Sequence, residues 1–240
     1  MSVAKVTPSL FLSTAHNCSY LPERSANTLF LDPRFPITTE LFGDLNRRGF
    51  RRSGDLIYRP HCQDCKACVP ARIPTACFIL NRAQRRTLKR NLDLTVHVKA
   101  AAFDGEHFEL FLRYQDARHS GGTMANPDPI TYLRFLVGKH ADTSFYEFRD
   151  RGVLVAVAVI DHLPDGLSAV YTFYDPLMSA RSLGTYVILW QIQEAKRRHL
   201  PFLYLGYWVK ESPKMSYKAH FRPLEVYRNG CWAVLKAGSE

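Results

Sequence analysis

Residues 167–208 read LSAVYTFYDPLMSARSLGTYVILWQIQEAKRRHLPFLYLGYW, and their pattern decides the fold. Leu167 to Tyr174 is rich in β-branched and aromatic residues, which predicts a buried strand. Asp175-Pro176 ends it, because proline removes a donor and biases the preceding residue away from helical geometry. Good helix formers run from Arg181 to His199, apolar on nearly every side through Val187, Ile188, Leu189, Trp190 and Ile192. Lys196, Arg197 and Arg198 fall in the last turn, where cations complement the helix dipole. Pro201 bars continuation, and Phe202 to Trp208 reads as a second strand. The unit is strand–helix–strand with a largely buried helix.

The join between strand and helix carries chemical interest. A helix N-terminus offers unpaired N–H groups and partial positive charge, which suits a phosphate. Arg181, Ser182, Gly184 and Thr185 put a cation, two hydroxyls and a residue without a side chain there. A plainer role for Gly184 is to let the helix pack closely on a strand.

The surrounding chain fits this unit. It has 240 residues, 46% apolar and 22% charged, enough for a sizeable core. Lys plus Arg outnumber Asp plus Glu by 32 to 22, a net +10 that favours a polyanionic partner. Residues 1–22 make a poor signal peptide, and no apolar run approaches the ~18 residues of a membrane span. A cytoplasmic protein without membrane contact is expected. Upstream of the unit, Thr38-Thr39-Glu40 opens a helix capped by Gly49, and residues 50–58 form a hairpin with a Ser-Gly-Asp turn. A helix is expected from Phe103 to His119, broken by Gly121-Gly122, with a rigid loop at 126–129. Strands at 144–148 and 153–161 then form consecutive hairpins. Downstream, 210–221 has a helical look, and 224–235 closes as a hairpin at Asn229-Gly230. The expected fold is α+β: a mixed sheet with helices on both sides.

Two clusters stand out before residue 95. Cys62, Cys65 and Cys68 form a CxxCxxC, beside His61 and with a further thiol at Cys77. CxxC spacing lets thiolates converge on one ion, so zinc held by Cys62, Cys65, Cys68 and either Cys77 or His61 is expected, or an iron–sulfur cluster. Reduced thiols with a packing role are the alternative. Next, Arg82, Arg85, Arg86, Lys89 and Arg90 recur at helical intervals on one face with no acid between them. An unmixed cationic stripe repels itself unless phosphates neutralise it, so a nucleic-acid contact is expected.

An antiparallel meander followed by strand, R-x-x-G-x turn, helix and strand resembles the GCN5-related acyltransferase fold. That fold is expected for residues 96–240, with 1–95 as a smaller cysteine-containing and basic N-terminal region. In the resembled enzymes the turn binds a pyrophosphate. Here Gly184-Thr185-Tyr186 lacks the final small residue usual for acetyl-coenzyme A, leaving another phosphate-bearing acyl donor open.

A more specific resemblance covers nearly the whole chain. Tyr58-Arg59-Pro60-His61-Cys62, Cys65, Cys68, Arg82, Gln84-Arg85-Arg86 and Arg90-Asn91 are similar to the N-terminal region of aminoacyl-tRNA–protein transferases. Tyr114-Gln115, Arg118-His119, residues 171–176, 182–185 and 204–208, Lys214-Met215, Tyr217-Lys218 and 221–223 are similar to their C-terminal region. The short, insertion-free form resembles the bacterial leucyl-transferring branch of the N-degron pathway more than the longer arginyl relatives. The resemblance implies leucine transfer from leucyl-tRNA to proteins with N-terminal Asp or Glu, with no cofactor required for the chemistry. Aminolysis of an activated ester needs positioning and only a modest base. Asp175 is the candidate base, with Tyr171 or Tyr174 as a hydroxyl relay. An acidic acceptor side chain calls for a guanidinium, for which Arg52, Arg59 and Arg72 are candidates. An acetyl-coenzyme A N-acetyltransferase and a non-enzymatic RNA-binding protein with a zinc knuckle are the rival readings.

Overall fold

A computed structural model describes residues 8–119 and 127–236 of the chain. Short strands β1 (Leu10–Leu12), β2 (His16–Asn17) and β3 (Ser25–Ala26) precede β4 (Thr28–Leu31), helix α1 (Thr39–Arg47) and strands β5 (Arg51–Ser53), β6 (Leu56–Pro60) and β7 (Val69–Pro74). Helix α2 (Arg82–Arg90), strand β8 (Thr95–Ala100) and helices α3 (Gly105–His119) and α4 (Pro129–Leu136) follow. The meander β9 (Asp142–Asp150), β10 (Val153–Leu163) and β11 (Gly166–Tyr174) leads to α5 (Leu183–Arg197) and β12 (Phe202–Trp208). A short α6 (Pro213–Ser216) and the hairpin β13 (Glu225–Arg228) and β14 (Cys231–Val234) close the chain.

Local chemistry fixes most boundaries. Thr38 caps α1 by accepting from Leu41 N, and Gly49 leaves it with a φ of +82° that suits glycine. Asn81 and Gln84 form a reciprocal capping box at the start of α2. Asp128 caps α4, with Pro129 at the first helical position, where its missing N–H costs nothing. The Asn-Pro-Asp-Pro run is therefore a loop that starts a helix. Gly121-Gly122 and Asn126 lie outside the described residues. Helix α5 begins at Leu183 rather than Arg181, because a 3₁₀ segment (Pro176–Arg181) comes first and Ser182 takes left-handed geometry. The helical stretch expected at 210–221 divides into α6 and a 3₁₀ turn, Tyr217–His220.

The main sheet has eight strands in the order β14-β13-β7-β12-β11-β10-β9-β8. Strand β10 lies deep within it, and its apolar run LVAVAVI, Leu154 to Ile160, packs on both faces. On one face α5 covers Val155, Ala156, Ala158 and Ile160; on the other α3 and α4 cover Leu154, Val157 and Val159. The expected mixed sheet with helices on both sides is what the chain forms. Strand β7 inserts between β12 and β13, so the sheet crosses the boundary expected at residue 95.

The pairing of β11 with β12 is parallel and brief, from Gly166 opposite Phe202 to Ser168 opposite Tyr204. Beyond it each strand bulges against its other neighbour. The β10 register jumps from Tyr171 to Ala169, leaving Val170 extra, and the β7 register skips Leu205. Bulges bend a strand, and here they spread β11 and β12 apart toward their C-terminal ends.

A second, four-stranded sheet (β1-β4-β6-β5) lies beside this split. Arg52 on β5 joins it to the main sheet. Its Nε and Nη2 each donate to Asp161 on β10 at 2.6 Å, and Nη2 also donates to Leu136 O and Thr143 Oγ1. Both side chains are almost wholly buried. Asp161→Asn is expected to lower unfolding free energy by about 3–5 kcal/mol in a denaturant titration, the usual cost of stranding one partner of a buried ion pair. A loss below about 0.5 kcal/mol, as for an ordinary surface change, would show that this pair does not hold the sheets together.

Candidate active site

The split between β11 and β12 opens into a cavity of about 130 Å³. Ser168, Ala169 and Val170 line it from β11, and Leu205, Gly206 and Tyr207 from β12. Tyr20, Tyr58, Arg51, Arg52 and Lys218 line the rest, so the cavity is aromatic and cationic. Its one acid, Asp161, has both oxygens engaged by Arg52. Lys218 is buried and donates to Tyr207 O at 2.5 Å. Burial and the nearby Arg51 charge push its ammonium down to about 7. Burial likewise raises the Tyr58 and Tyr207 phenols, which stay neutral donors and acceptors.

The cationic stripe lies on the exposed face of α2. Arg82, Arg85, Arg86, Lys89 and Arg90 all face solvent, while Gln84, Thr87 and Asn91 turn inward. Gln84 Nε2 donates to His220 O, and Asn91 Nδ2 donates to Thr87 O and Arg181 O. Arg90 also donates to Ala180 O, which fixes the end of the stripe to the segment leaving β11.

The turn before α5 is occupied in detail. Arg181 is bridged to Asp93 at 2.8 Å and to Asp150 at 2.9 Å, so its guanidinium is shared between two carboxylates. Its hydrogen bonds pull Asp93 down to about 2. Ser182 makes no side-chain cap, and Thr185 lies half-buried in the first turn of α5. A Cβ on Gly184 would stand 3.1 Å from the Tyr174 ring, so this glycine makes room for that ring. Tyr174 packs edge-on to Tyr114 with centroids 4.9 Å apart, and Arg118 lies 6.0 Å over it. Tyr171 accepts a bond from Gln115 Nε2 at 2.9 Å, and burial pushes its phenol up to about 12. Asp175 accepts from Leu177 N at 2.9 Å and so caps the 3₁₀ segment. It lies five residue steps, about 16 Å of extended chain, beyond Val170 at the cavity.

Of the three arginines expected to meet an acidic acceptor, two have internal partners. Arg52 holds Asp161, and Arg72 donates to Glu225 at 2.7 Å between the rings of Phe202 and Trp232. Arg59 lies 5.0 Å over Phe50, half-buried. The cavity instead presents Arg51 and Lys218, to which sequence reading gave no role, although Lys218 falls within the matched C-terminal pattern. Arg51 is indistinguishable from its neighbour Arg52 until Asp161 is seen to take one of them.

The cysteines are also regrouped. Cys77 is exposed in the 3₁₀ turn after β7. Cys68 is pushed up to about 12, first by burial and then by Cys18, Cys62 and Cys65, so Cys18 joins the CxxCxxC run. Arg24 Nη1 donates to Cys65 Sγ at 3.2 Å, and Cys62 Sγ lies 3.7 Å from Asn27 O. Among the described residues, the group whose ligand atoms lie within 4.8 Å of one another is Asp104, His107 and Glu147 rather than these thiols. Each of those three is spent on internal bonds: Asp104 caps α3, and Glu147 is bonded by His107 and Arg149.

Comparison with known proteins adds independent findings. The family model for the C terminus of arginine-tRNA-protein transferase matches residues 106–228, and that for its N terminus matches 16–86. An "Aspartate/glutamate leucyltransferase" of Pseudomonas putida is 55% identical over 225 residues, 94% of this chain and 96% of its own. A protein of the same name from Alcanivorax borkumensis is 50% identical over 222 residues, 92% of each chain. Among solved structures, FemX aligns with 9% identity and a TM-score of 0.45, covering 83% of this chain and 79% of its own. The structure of L-PGS from Bacillus licheniformis aligns with 14% identity and a TM-score of 0.48, covering 60% and 46%.

Proposed function

Since this chain belongs to the arginine-tRNA-protein transferase family and is an aminoacyltransferase, we propose that its donor is leucyl-tRNA and its acceptor a protein with N-terminal Asp or Glu. The observation that carries the reading is the cationic cavity at the split between β11 and β12. A neutral acceptor gains nothing from buried cations, whereas a carboxylate gains charge-assisted bonds. Leucine rather than arginine follows from relatives at 50–55% identity over nearly their full length that carry the leucyl name. The product begins with leucine, the mark that routes a protein to degradation through the N-degron pathway.

The chemistry is aminolysis. The acceptor's α-amine attacks the ester carbonyl of the aminoacyl-tRNA, an amide forms, and the carbonyl–oxygen bond to the tRNA breaks. The proton lost by nitrogen balances the one gained by the departing ribose hydroxyl. An α-amine titrates near 7.7–8.0, roughly, so part of it is neutral at physiological pH and the protein's main task is positioning. Cavity and basic stripe supply it, one for the acceptor and one for the tRNA phosphates. Peptides beginning with Asp or Glu are expected to gain about 113 Da from a mixed aminoacyl-tRNA pool, as acyl transfer of one leucine requires. A gain of about 156 Da would make the donor arginyl-tRNA, and modification of Ala-initiated peptides would remove the acidic acceptor.

The stripe has its own signature. If Arg85 and Arg86 neutralise phosphates, changing both to Ala flattens the slope of log tRNA affinity against log salt by up to about 1.4–1.8. Stability stays within about 0.5 kcal/mol of wild type, because both side chains are exposed. An unchanged slope would place the tRNA elsewhere.

A second proposal concerns the cysteines. Cys18, Cys62, Cys65 and Cys68 supply a donor set of the right chemistry for zinc or an iron–sulfur group. Binding would require the thiols to ionise and draw together, since no three of them lie within 4.8 Å of one another as they stand. Such a group would fix the segment bearing Tyr20 against the cavity. Metal analysis of anaerobically purified protein is expected to show an ion that Cys18→Ser loses and Cys77→Ser keeps. Equal loss in both variants, or no metal in wild type, would contradict this.

A further inference from the structure

Two neighbouring arginines on β5 face the same problem and solve it differently. Arg52 presents its Nε–Nη2 edge to Asp161, the side-on geometry in which one guanidinium grips both oxygens of a carboxylate. Arg51 is equally buried, 7% exposed, and its Nη1 is clamped by Asn46 Oδ1 and Phe50 O at 2.9 Å and by Asn46 O at 3.4 Å. Its Nε and Nη2, the same side-on edge, are buried and make no hydrogen bond among the described residues, although the guanidinium lies 5.3 Å over the Tyr204 ring. The clamp on Nη1 aims that edge and keeps it from turning.

A second cation faces the same place. Gly206 sits where β12 leaves β11, with a φ of +74°. A Cβ built there would lie 3.9 Å from Lys218 Nζ and 4.0 Å from Arg51 Nε. The ammonium and the guanidinium edge thus flank the same space over position 206, where the left-handed backbone itself favours glycine. Stranding two positive charges in a buried site is costly unless an anion completes it. Asp161 cannot serve, because Arg52 and Thr143 already engage it.

We propose that the Arg51 Nε–Nη2 edge, together with Lys218 Nζ over Gly206, is the carboxylate reader that selects Asp or Glu at the acceptor's N-terminus. The assignment rests on the leucyl-transfer reading and names the residues that give it specificity. Lys218's depressed ammonium agrees with it, because a bound anion restores the charge that burial and Arg51 disfavour. It also locates the chemistry. In an N-terminal Asp the α-amine and the carboxylate are separated by only three bonds, about 4 Å. With the carboxylate held by Arg51, the amine falls within the cavity that Ser168 to Val170 also line, so the leucyl ester has to reach it there. The neutral amides of Asn and Gln can offer their carbonyl oxygen to one cation, but they place NH2 donors against the other and carry no charge to offset the pair.

The test compares wild type, Arg51→Gln and Gly206→Ala on Asp-, Glu- and Asn-initiated peptides, at saturating leucyl-tRNA and then with leucyl-tRNA varied. Wild type is expected to use the Asp and Glu peptides at least 100-fold better than the Asn peptide. Arg51→Gln is expected to lower kcat/KM for the acidic peptides by about 100-fold or more, a typical effect of breaking a buried charge-assisted pair, with the KM for leucyl-tRNA unchanged. Gly206→Ala leaves both cations in place and sets a methyl 3.9–4.0 Å from them, at a φ of +74° that costs some stability. A folded Gly206→Ala is expected to lose acidic acceptors too, and it decides the matter if Arg51→Gln does not fold. Normal acceptor KM in a folded Gly206→Ala or Arg51→Gln would overturn the assignment while the transfer reading stands. Failure of wild type to modify any of these peptides would overturn that reading itself.

Discussion

Strands β11 and β12 share a parallel ladder only from Gly166 to Ser168, and bulges at Val170 and Leu205 bend them apart beyond it. A central sheet opened in this way loses pairing in its most buried region, so what lines the gap has to compensate. The flanking layers keep the gap from collapsing. Helix α5 packs across one face, α3 and α4 across the other, and the Arg52–Asp161 pair secures the second sheet at the edge of the opening. Burying a large aliphatic or aromatic side chain contributes roughly 1.5–3 kcal/mol, and the many such residues in these layers can offset a few polar groups left without ladder partners.

The molecule uses positive charge in two regimes. On α2 five cations stand in water, where their field reaches only about 8 Å at physiological ionic strength and salt weakens it. Such charge concentrates and orients a polyanion without demanding exact contacts. Arg51 and Lys218 are withdrawn from solvent, where screening is weak and each unmade bond is costly. The first arrangement suits the long phosphate backbone of a tRNA. The second suits a single carboxylate presented at short range.

Much of this was legible in the chain, and the exceptions have physical reasons. Strand β12 and helix α2 run over the residues their patterns predict, because aromatic density and unmixed charge are local signals. Strand β7 escaped notice because Pro70 and Pro74 mark it as loop, although Tyr207 and Phe202 of β12 stand opposite them in a central position. Helix α4 escaped because Pro129 reads as a breaker until Asp128 is recognised as its cap. Among the cysteines, spacing singled out Cys62, Cys65 and Cys68 but not Cys18, which lies 44 residues before Cys62 and whose influence on the Cys68 thiol arises only through the fold. The reading of Arg52 as an acceptor contact and the silence on Arg51 share one cause. Adjacent identical residues differ only in whether a distant Asp161 reaches them, and local sequence does not encode that.

Calorimetric titration of the protein with short peptides differing only at the first residue tests the central claim most directly. An Asp-initiated peptide is expected to bind measurably and an Asn-initiated one not. The Asp affinity should change little as salt rises from about 50 to 300 mM, because the contact is buried and weakly screened. Equal binding of the two peptides would contradict the account. So would an Asp affinity that falls as steeply with salt as a surface attraction does.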